Sequence, residues 1–454
     1  MGKRAAIAGV IAAALCLPPL VPLRSETMVL TSAELRTQAI LAAGEGRIDA
    51  ALYMARALLS RMPRDVAANL VLSAALRDMG DWAGARDAAR VAWQAADNDA
   101  DRYRAALLTS QALASMGRRT EAQLWLRRAA ELAPNETAYA VARRDFNYVR
   151  SRNPLSVDLS FSVAPSSNIN NGSTADIVWL FGFPFTLSGA SKALSGLRVA
   201  GGAELTWRFP PSATTKNEAT LSFYHQTYVM SPEAKAIAPT STGSDFAYSS
   251  LAATFRQEAA EAPGWGLFGW DITVGRDWYG GAVLSDFIRY GNDMTRQTDA
   301  GNKLVFGSEI EMQFRPGTGD TAASLLLESD FERPLEGGAR LGYGLSAKFS
   351  ESGDSSLDFT SVSAEASYRP AQTIWNANVT VSAGAEWRRY TYSPYKTGGR
   401  EDISASLGVE LLFAEQEHFG FAPTVSLVQS VQFSDVDLYD SRATAIQVGF
   451  KSLF

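Results

Sequence analysis

IWNANVTVSAGAEWR, residues 374–388, is the stretch whose reading decides the fold. From Trp375 onward every second residue is apolar or small: Trp375, Ala377, Val379, Val381, Ala383, Ala385 and Trp387. The interleaved residues, Asn376, Asn378, Thr380, Ser382, Gly384, Glu386 and Arg388, are almost wholly polar. A period of two marks a β-strand, but strands of soluble proteins run to only about 5–6 residues. Trp375 to Trp387 makes 12 steps, about 40 Å at ~3.4 Å per residue. Tilted by roughly 40°, such a strand crosses about 30 Å, the hydrocarbon core of a bilayer. The spacing therefore predicts a membrane-crossing strand with its apolar face on lipid, a tryptophan at each interface, and a polar face lining a lumen.

The same alternation recurs in KLVFGSEIEMQFR (303–315), ARLGYGLSAKFS (339–350) and EDISASLGVELLF (401–413). Turn signals between such runs predict about fourteen strands, near 155–164, 195–209, 217–230, 244–257, 265–278, 284–296 and 302–315. The remainder fall near 320–331, 338–350, 356–369, 374–390, 401–413, 419–433 and 442–454. An even count brings the chain back to the side on which it entered, so residues 154–454 read as an outer-membrane β-barrel. IVWLFGFPFTLS (177–188) is either an extra strand or a segment folded into the lumen, and counts of twelve and sixteen stay open. A soluble β-sandwich leaves strands of this length unexplained.

Residues 32–150 are of another kind, rich in Ala, Leu and Arg. GRIDAA (46–51), GDWAGA (80–85) and GRRTEA (117–122) align at about the 34-residue period of a tetratricopeptide array. Small residues fall where paired helices must approach: Ala39, Ser73 and Ser110 in the first helix of each pair, Ala51, Ala85 and Ala122 at the start of the second. Leu58, Ala92 and Ala129 follow later in the second helices. Three helix pairs share one core only when stacked, and the stack leaves a concave face.

The first 25 residues read as a secretory signal peptide: Lys3 and Arg4, an apolar run from Ala5 to Leu17, then prolines. The only cysteine, Cys16, lies within it, so the remaining chain has no disulfide or thiol chemistry. Its preceding Leu15 departs from the small residue of a lipobox. With 42 basic against 48 acidic side chains the net charge is −6, which argues against a nucleic-acid partner. The two histidines, His225 and His418, are far apart and in no metal-ligand spacing. SDVDLYDS (434–441) offers Asp435, Asp437 and Asp440, but without the glycine and distal glutamate of an EF-hand it reads as a solvated outer loop. No nucleophile elbow or phosphate-binding glycine loop is present, so neither an enzyme nor a cofactor is expected. Lumen-facing charges are mixed, with Arg340 and Lys348 on one strand, Glu328 and Asp330 on another, and Glu386 beside Arg388. A conduit for an anionic polymer calls for a predominantly basic wall.

Signal peptide, short tetratricopeptide array and C-terminal barrel, in that order, resemble the Slam family, the surface lipoprotein assembly modifiers of Gram-negative bacteria. FSVAPSSNINNG (161–172), with Asn168 and Asn170, is similar to the family's Asn-x-Asn stretch. GRDWYGG (275–281), GGREDISASLGVELLF (398–413) and YDSRATAIQVGFKSLF (439–454) are also similar to family text. The resemblance implies an outer-membrane translocon or assembly factor that delivers lipoproteins or soluble haem-binding-type proteins to the cell surface. Its helical domain would lie in the periplasm and engage cargo or periplasmic chaperones. By the tetratricopeptide resemblance, Arg36, Leu70, Arg77, Arg104, Leu107 and Gln111 would line the cargo-binding face. The closing strand resembles the signal read by the barrel insertion machinery, with Gln447, Gly449 and Phe454 in place and Ser452 departing from it. The rival reading is a polysaccharide-export porin on a tetratricopeptide scaffold, a type that carries longer arrays and sixteen strands.

Overall fold

The computed structural model describes residues 30–259, 266–419 and 421–452. The expected signal peptide therefore lies outside the described residues. Seven helices come first: α1 (Ser32–Gly44), α2 (Ile48–Leu59), α3 (Val66–Asp78), α4 (Trp82–Ala95), α5 (Asp99–Ser115), α6 (Arg119–Glu131) and α7 (Glu136–Arg152). Each packs on the next, and α1 on α3 and α3 on α5, the contact pattern of stacked pairs. Gly46, Gly80 and Gly117, the three aligned glycines, all adopt positive φ at the end of a first helix, where a side chain would be strained. All nine small or apolar residues picked out for close helix approach are buried. Side-chain caps define the starts: Thr31 and Glu34 form a reciprocal capping box on α1, and Asp65, Asp81, Asn98 and Asn135 cap α3, α4, α5 and α7. The seventh helix exceeds the three expected pairs. It closes the stack through Phe146 and Val149, packed on Leu113 and Leu126, and hands the chain to the sheet.

The sheet follows as β1 (Leu155–Ser166), a hairpin of β2 (Ile177–Leu180) and β3 (Phe183–Thr186), then β4 (Gly196–Arg208) and β5 (Thr215–Met230). After a short helix α8 (Pro232–Ile237) come β6 (Tyr248–Ala259), β7 (Leu267–Tyr279), β8 (Ala282–Gln297), β9 (Lys303–Arg315) and β10 (Asp320–Pro334). The last six are β11 (Arg340–Ser352), β12 (Phe359–Arg369), β13 (Asn378–Tyr390), β14 (Arg400–Leu412), β15 (Phe421–Ser434) and β16 (Ser441–Ser452). All but β2 and β3 form one closed antiparallel barrel of fourteen strands, in which each strand pairs with its neighbours in sequence and β1 pairs with β16. The segment 177–188 is thus not a strand of the wall. It is a separate two-stranded sheet in the connection between β1 and β4.

The wall is apolar outside. Leu221, Leu345, Leu407 and Ile446 are exposed at mid-strand, on the face opposite the lumen. Aromatic side chains stand exposed towards both ends: Trp207, Phe209, Phe268 and Tyr368 on the side where the helices join, and Tyr279, Phe314, Trp387 and Phe433 on the other. An aliphatic belt between two aromatic rings suits a bilayer core and its interfaces. One expectation needs correcting. Trp375 is not a girdle residue at the end of a long strand, because Trp375 and Asn376 both take positive φ and form the tip of a tight turn closed by Ile374 and Ala377. Two successive left-handed residues match the right-handed twist of hairpin strands, so β13 begins three residues later than the apolar pattern implied.

The inward face carries ion pairs. Arg256 lies 2.7 Å from Asp293 and 3.5 Å from both Asp271 and Glu258. Arg388 meets Glu386 at 2.6 Å, Arg400 meets Asp402 at 3.0 Å, and Arg340 meets Glu332 at 2.5 Å. Glu328, Asp330 and Glu365 add further acid to the inward rows of β10 and β12.

Candidate functional site

The helical domain and the barrel meet in a built joint. The turn between β14 and β15 presents Glu417, His418 and Phe419 to the ends of α6 and α7. Glu131 takes His418 Nδ1 at 2.6 Å and the Phe419 amide at 3.4 Å. The Tyr139 hydroxyl donates to Glu417 Oε2 at 3.0 Å. Burial raises the pKa of Tyr139, and the charge of Glu417 adds to the shift. Arg127 is clasped between the rings of Phe421 and Phe146, 4.9 and 5.5 Å from their centroids. Burial, reinforced by Arg150, lowers its pKa; Glu417 and Asp158 oppose that shift. The covalent link is equally fixed: Asn153 donates to Thr120 Oγ1 at 3.0 Å and accepts from the Leu155 amide at 3.2 Å. Apart from the Asn153–Leu155 bond none of these contacts is local in sequence, and no motif announced them.

On the array itself, the residues expected to line the concave face are partly spent on one another. Arg36 binds Asp65 at 2.5 Å, and Arg77 donates to Gln111, one repeat further on. Burial raises the Asp65 pKa, but the hydrogen bond and charge of Arg36 and the amides of α3 outweigh it and hold the carboxyl below its ordinary value. Arg104 stands exposed beside Asp101 at 3.3 Å. Leu70 and Leu107 are half-buried, Leu107 against the α5–α7 core. Gln111 also borders a cavity of about 340 Å³ between α5, α6 and α7, together with Ser110, Ala114, Asp145 and Tyr148. The structure thus brings Arg77 and Gln111 together and ties Arg36 to a cap.

Asn168 and Asn170 sit in the β1–β4 connection at the far end of the barrel. Asn170 Nδ2 donates to the carbonyls of Ala190 and Lys192 at 2.7 and 2.9 Å, and its Oδ1 accepts from the Leu194 amide at 2.9 Å. Asn168 exchanges hydrogen bonds with Gly172. The pair fastens the two ends of this loop to each other over a cluster of Ile169, Leu194, Ala234 and Ala238. The β2–β3 hairpin rises from that base with Trp179, Phe181 and Phe183 exposed, its Trp179 amide 3.4 Å from Asp437. Asp435 pairs with Lys396, and Asp440 accepts from the Ser434 amide at 2.7 Å, so the acidic loop 434–441 is used to tie loops together. Among the described residues no group of three or more His, Cys, Asp or Glu is placed to hold a metal.

Gln447 and Gly449 both face inward where the barrel closes. Arg198 on β4 reaches over β1 to Gln447 Oε1 at 2.6 Å. A Cβ on Gly449 would stand 3.0 Å from the Phe161 carbonyl, so a larger residue would press on the closure. Phe454 lies outside the described residues.

This geometry defines a class: a closed outer-membrane-type β-barrel with a folded helical array fixed to one end. No protein-family profile matches the chain, and no curated protein matches it. Solved structures share its parts. The type III secretion translocator chaperone SycD of Yersinia enterocolitica is similar over 27% of this chain and 88% of its own, at 19% identity and a TM-score of 0.25. A BenF-like porin from Pseudomonas fluorescens covers 66% of this chain and 99% of its own, at 7% identity and a TM-score of 0.38. A bacterial polysaccharide outer membrane secretin covers 65% and 98%, at 8% identity and a TM-score of 0.36.

Proposed function

We propose that this protein is an outer-membrane assembly factor of the Slam type, delivering particular lipoproteins or soluble secreted proteins to the cell surface. Its helical array would work in the periplasm. The observation that carries the reading is the joint: Glu131, Tyr139 and Arg127 hold a grooved helical array against the mouth of the barrel. Such arrays grip peptides and extended chains and have no need of chemistry. An array that only tethered the barrel would not need to be held at this angle by a charged contact, a hydroxyl and a stacked guanidinium. The inward charges of β10 to β12 are mixed in sign, with Glu328, Asp330, Glu332 and Glu365 beside Arg340 and Lys348, and such a mixture does not favour the export of an anionic polysaccharide. The reading is tested with whole cells that express a lipoprotein encoded beside this protein, with and without the protein itself. External protease should reach the lipoprotein only when this protein is present, while its total amount stays constant. Equal exposure in both, with the barrel inserted, rejects the reading for that lipoprotein and makes polymer export the next assay.

A further inference from the structure

The outer aromatic ring of the barrel is interrupted on one side. Phe314 on β9 and Phe433 on β15 stand one residue in from the outer end of their strands, exposed on the lipid face. The same place on β1, β4 and β5 is held by Pro165, Leu197 and Val229, side by side in register. Ile446 of β16 completes this row, since its neighbour Ala445 pairs with Ser166. Val229 and Ile446 are 60% and 49% exposed. One step further out runs a row of hydroxyl-bearing residues, Ser231, Ser195, Ser167 and Thr444. The Ser231 amide donates to the Ser195 carbonyl at 3.0 Å, and Ser167 and Thr444 exchange hydrogen bonds at 3.1 and 3.0 Å. The two rows line a groove of about 510 Å³ on the lipid-facing side of the wall.

Beside the hydroxyls stand two groups that hydrocarbon alone would not accommodate. The Thr444 hydroxyl donates to Gln429 Oε1 at 2.6 Å across the outward face of β15 and β16, and the Gln429 amide nitrogen has no partner among the described residues. Arg442 lies two residues beyond Thr444 on the same face of β16, about 7 Å away at ~3.4 Å per residue. It is exposed and forms no ion pair among the described residues. From the bilayer outward the order is thus aliphatic, then hydroxyl and amide, then guanidinium. That is the order of partners a lipid asks for along its acyl chain, ester and phosphate.

We propose that this groove is a binding site for one phosphate-bearing lipid of the outer leaflet. Its acyl chain lies on Pro165, Leu197, Val229 and Ile446, its ester groups meet Thr444 and Gln429, and its phosphate meets Arg442. A guanidinium takes phosphate through paired charged hydrogen bonds, and a chain fits where the wall carries no ring. The bound lipid lies across β5, β4, β1 and β16 and so bridges the first and last strands of the barrel. The site belongs to the wall alone and is independent of the function proposed above.

Native mass spectrometry of the full chain in a neutral detergent tests the site, with dipalmitoyl phosphatidic acid and dipalmitoylglycerol as probes. The two share their acyl chains and differ in the phosphate. One phosphatidic acid should stay bound, and dipalmitoylglycerol should bind at least about tenfold more weakly, the loss expected of one charged contact. Arg442→Gln should bring phosphatidic acid down to the level of dipalmitoylglycerol and leave the latter unchanged. Leu197→Trp should fill the groove and abolish retention of both, whereas Leu345→Trp, on the lipid face of β11, should change neither. Tryptophan suits the membrane interface, so the Leu197 variant should insert normally; if it does not, Arg442→Gln, at an exposed position, still decides. Equal retention of the two lipids by the parent, or of phosphatidic acid by the parent and Arg442→Gln, overturns the phosphate site. Undiminished retention by inserted Leu197→Trp overturns the groove and leaves only general solvation of the wall by lipid.

Discussion

The Tyr139 hydroxyl and the Glu417 carboxylate meet at 3.0 Å across 278 residues of sequence, and with that contact the orientation of the helical array on the barrel is set. A half-buried hydrogen bond to a charged group contributes roughly 1.5–3 kcal/mol. The joint adds the Glu131 contacts and a stacked guanidinium. Tyr139→Phe combined with Glu131→Ala should release the array without unfolding it. The expected outcome is an unchanged helical signal and an unchanged barrel, with a broadened distance distribution between spin labels placed on the array and on the barrel. An unchanged narrow distribution would show that the Asn153 linker alone fixes the angle.

Asp65 both caps α3 and pairs with Arg36. Asp65→Ala should cost the helical domain about 1–2 kcal/mol, the usual worth of a lost cap. Because the folded pKa of Asp65 lies below its ordinary value, its contribution is complete above the unfolded pKa and fades as pH falls through the folded one. Thermal melts should therefore show the variant's deficit near pH 7 and a shrinking deficit below about pH 4.

The lipid face admits a sharper comparison. Leu345 points outward at mid-strand, and Ser346, its neighbour on β11, points inward to Ser363. Leu345→Arg should destabilise the barrel by about 2–4 kcal/mol, whereas Ser346→Arg should be nearly neutral. Urea unfolding in bilayers distinguishes the two, and similar costs at both positions would contradict the assignment of faces.

At the far end, Asn170→Ala removes three hydrogen bonds that hold the β1–β4 connection shut. Protease added to intact cells should nick the variant between residues 167 and 195 and leave the parent whole. Asn170→Asp, which keeps the acceptor to Leu194 but loses both donated bonds, should be nicked at an intermediate rate.

The wall was legible because lipid favours apolar residues at most outward positions, so that the alternation shows over a strand as long as the thirteen residues of β11. The helical spacing was legible for a related reason, since Ala51, Ala85 and Ala122 stand where two helix backbones approach too closely for larger side chains. Trp375 misled because its apolar character continues the pattern of β13 while its backbone has already turned. The segment 177–188 stayed open in the sequence because it has strand character, and its two strands pair only with each other. The joint could not have been read at all. His418 is exposed, and nothing in its own neighbourhood marks it; its partner Glu131 lies in a helix whose local pattern is complete without it. The side chains of Asn168 and Asn170 hold backbone groups of their own loop, a role that composition does not reveal.

The order in which this chain is made bears on that wall. Helices stacked on their neighbours involve short loops and form early, whereas β1 must wait for the last strand of the barrel before its outer ladder can exist. Until then the molecule is a curved apolar sheet with two raw margins, one of them carried by an already finished domain. A prematurely terminated chain would keep that state indefinitely, soluble at one end and sticky at the other. Cells producing such fragments should pay more dearly in periplasmic stress than cells producing none.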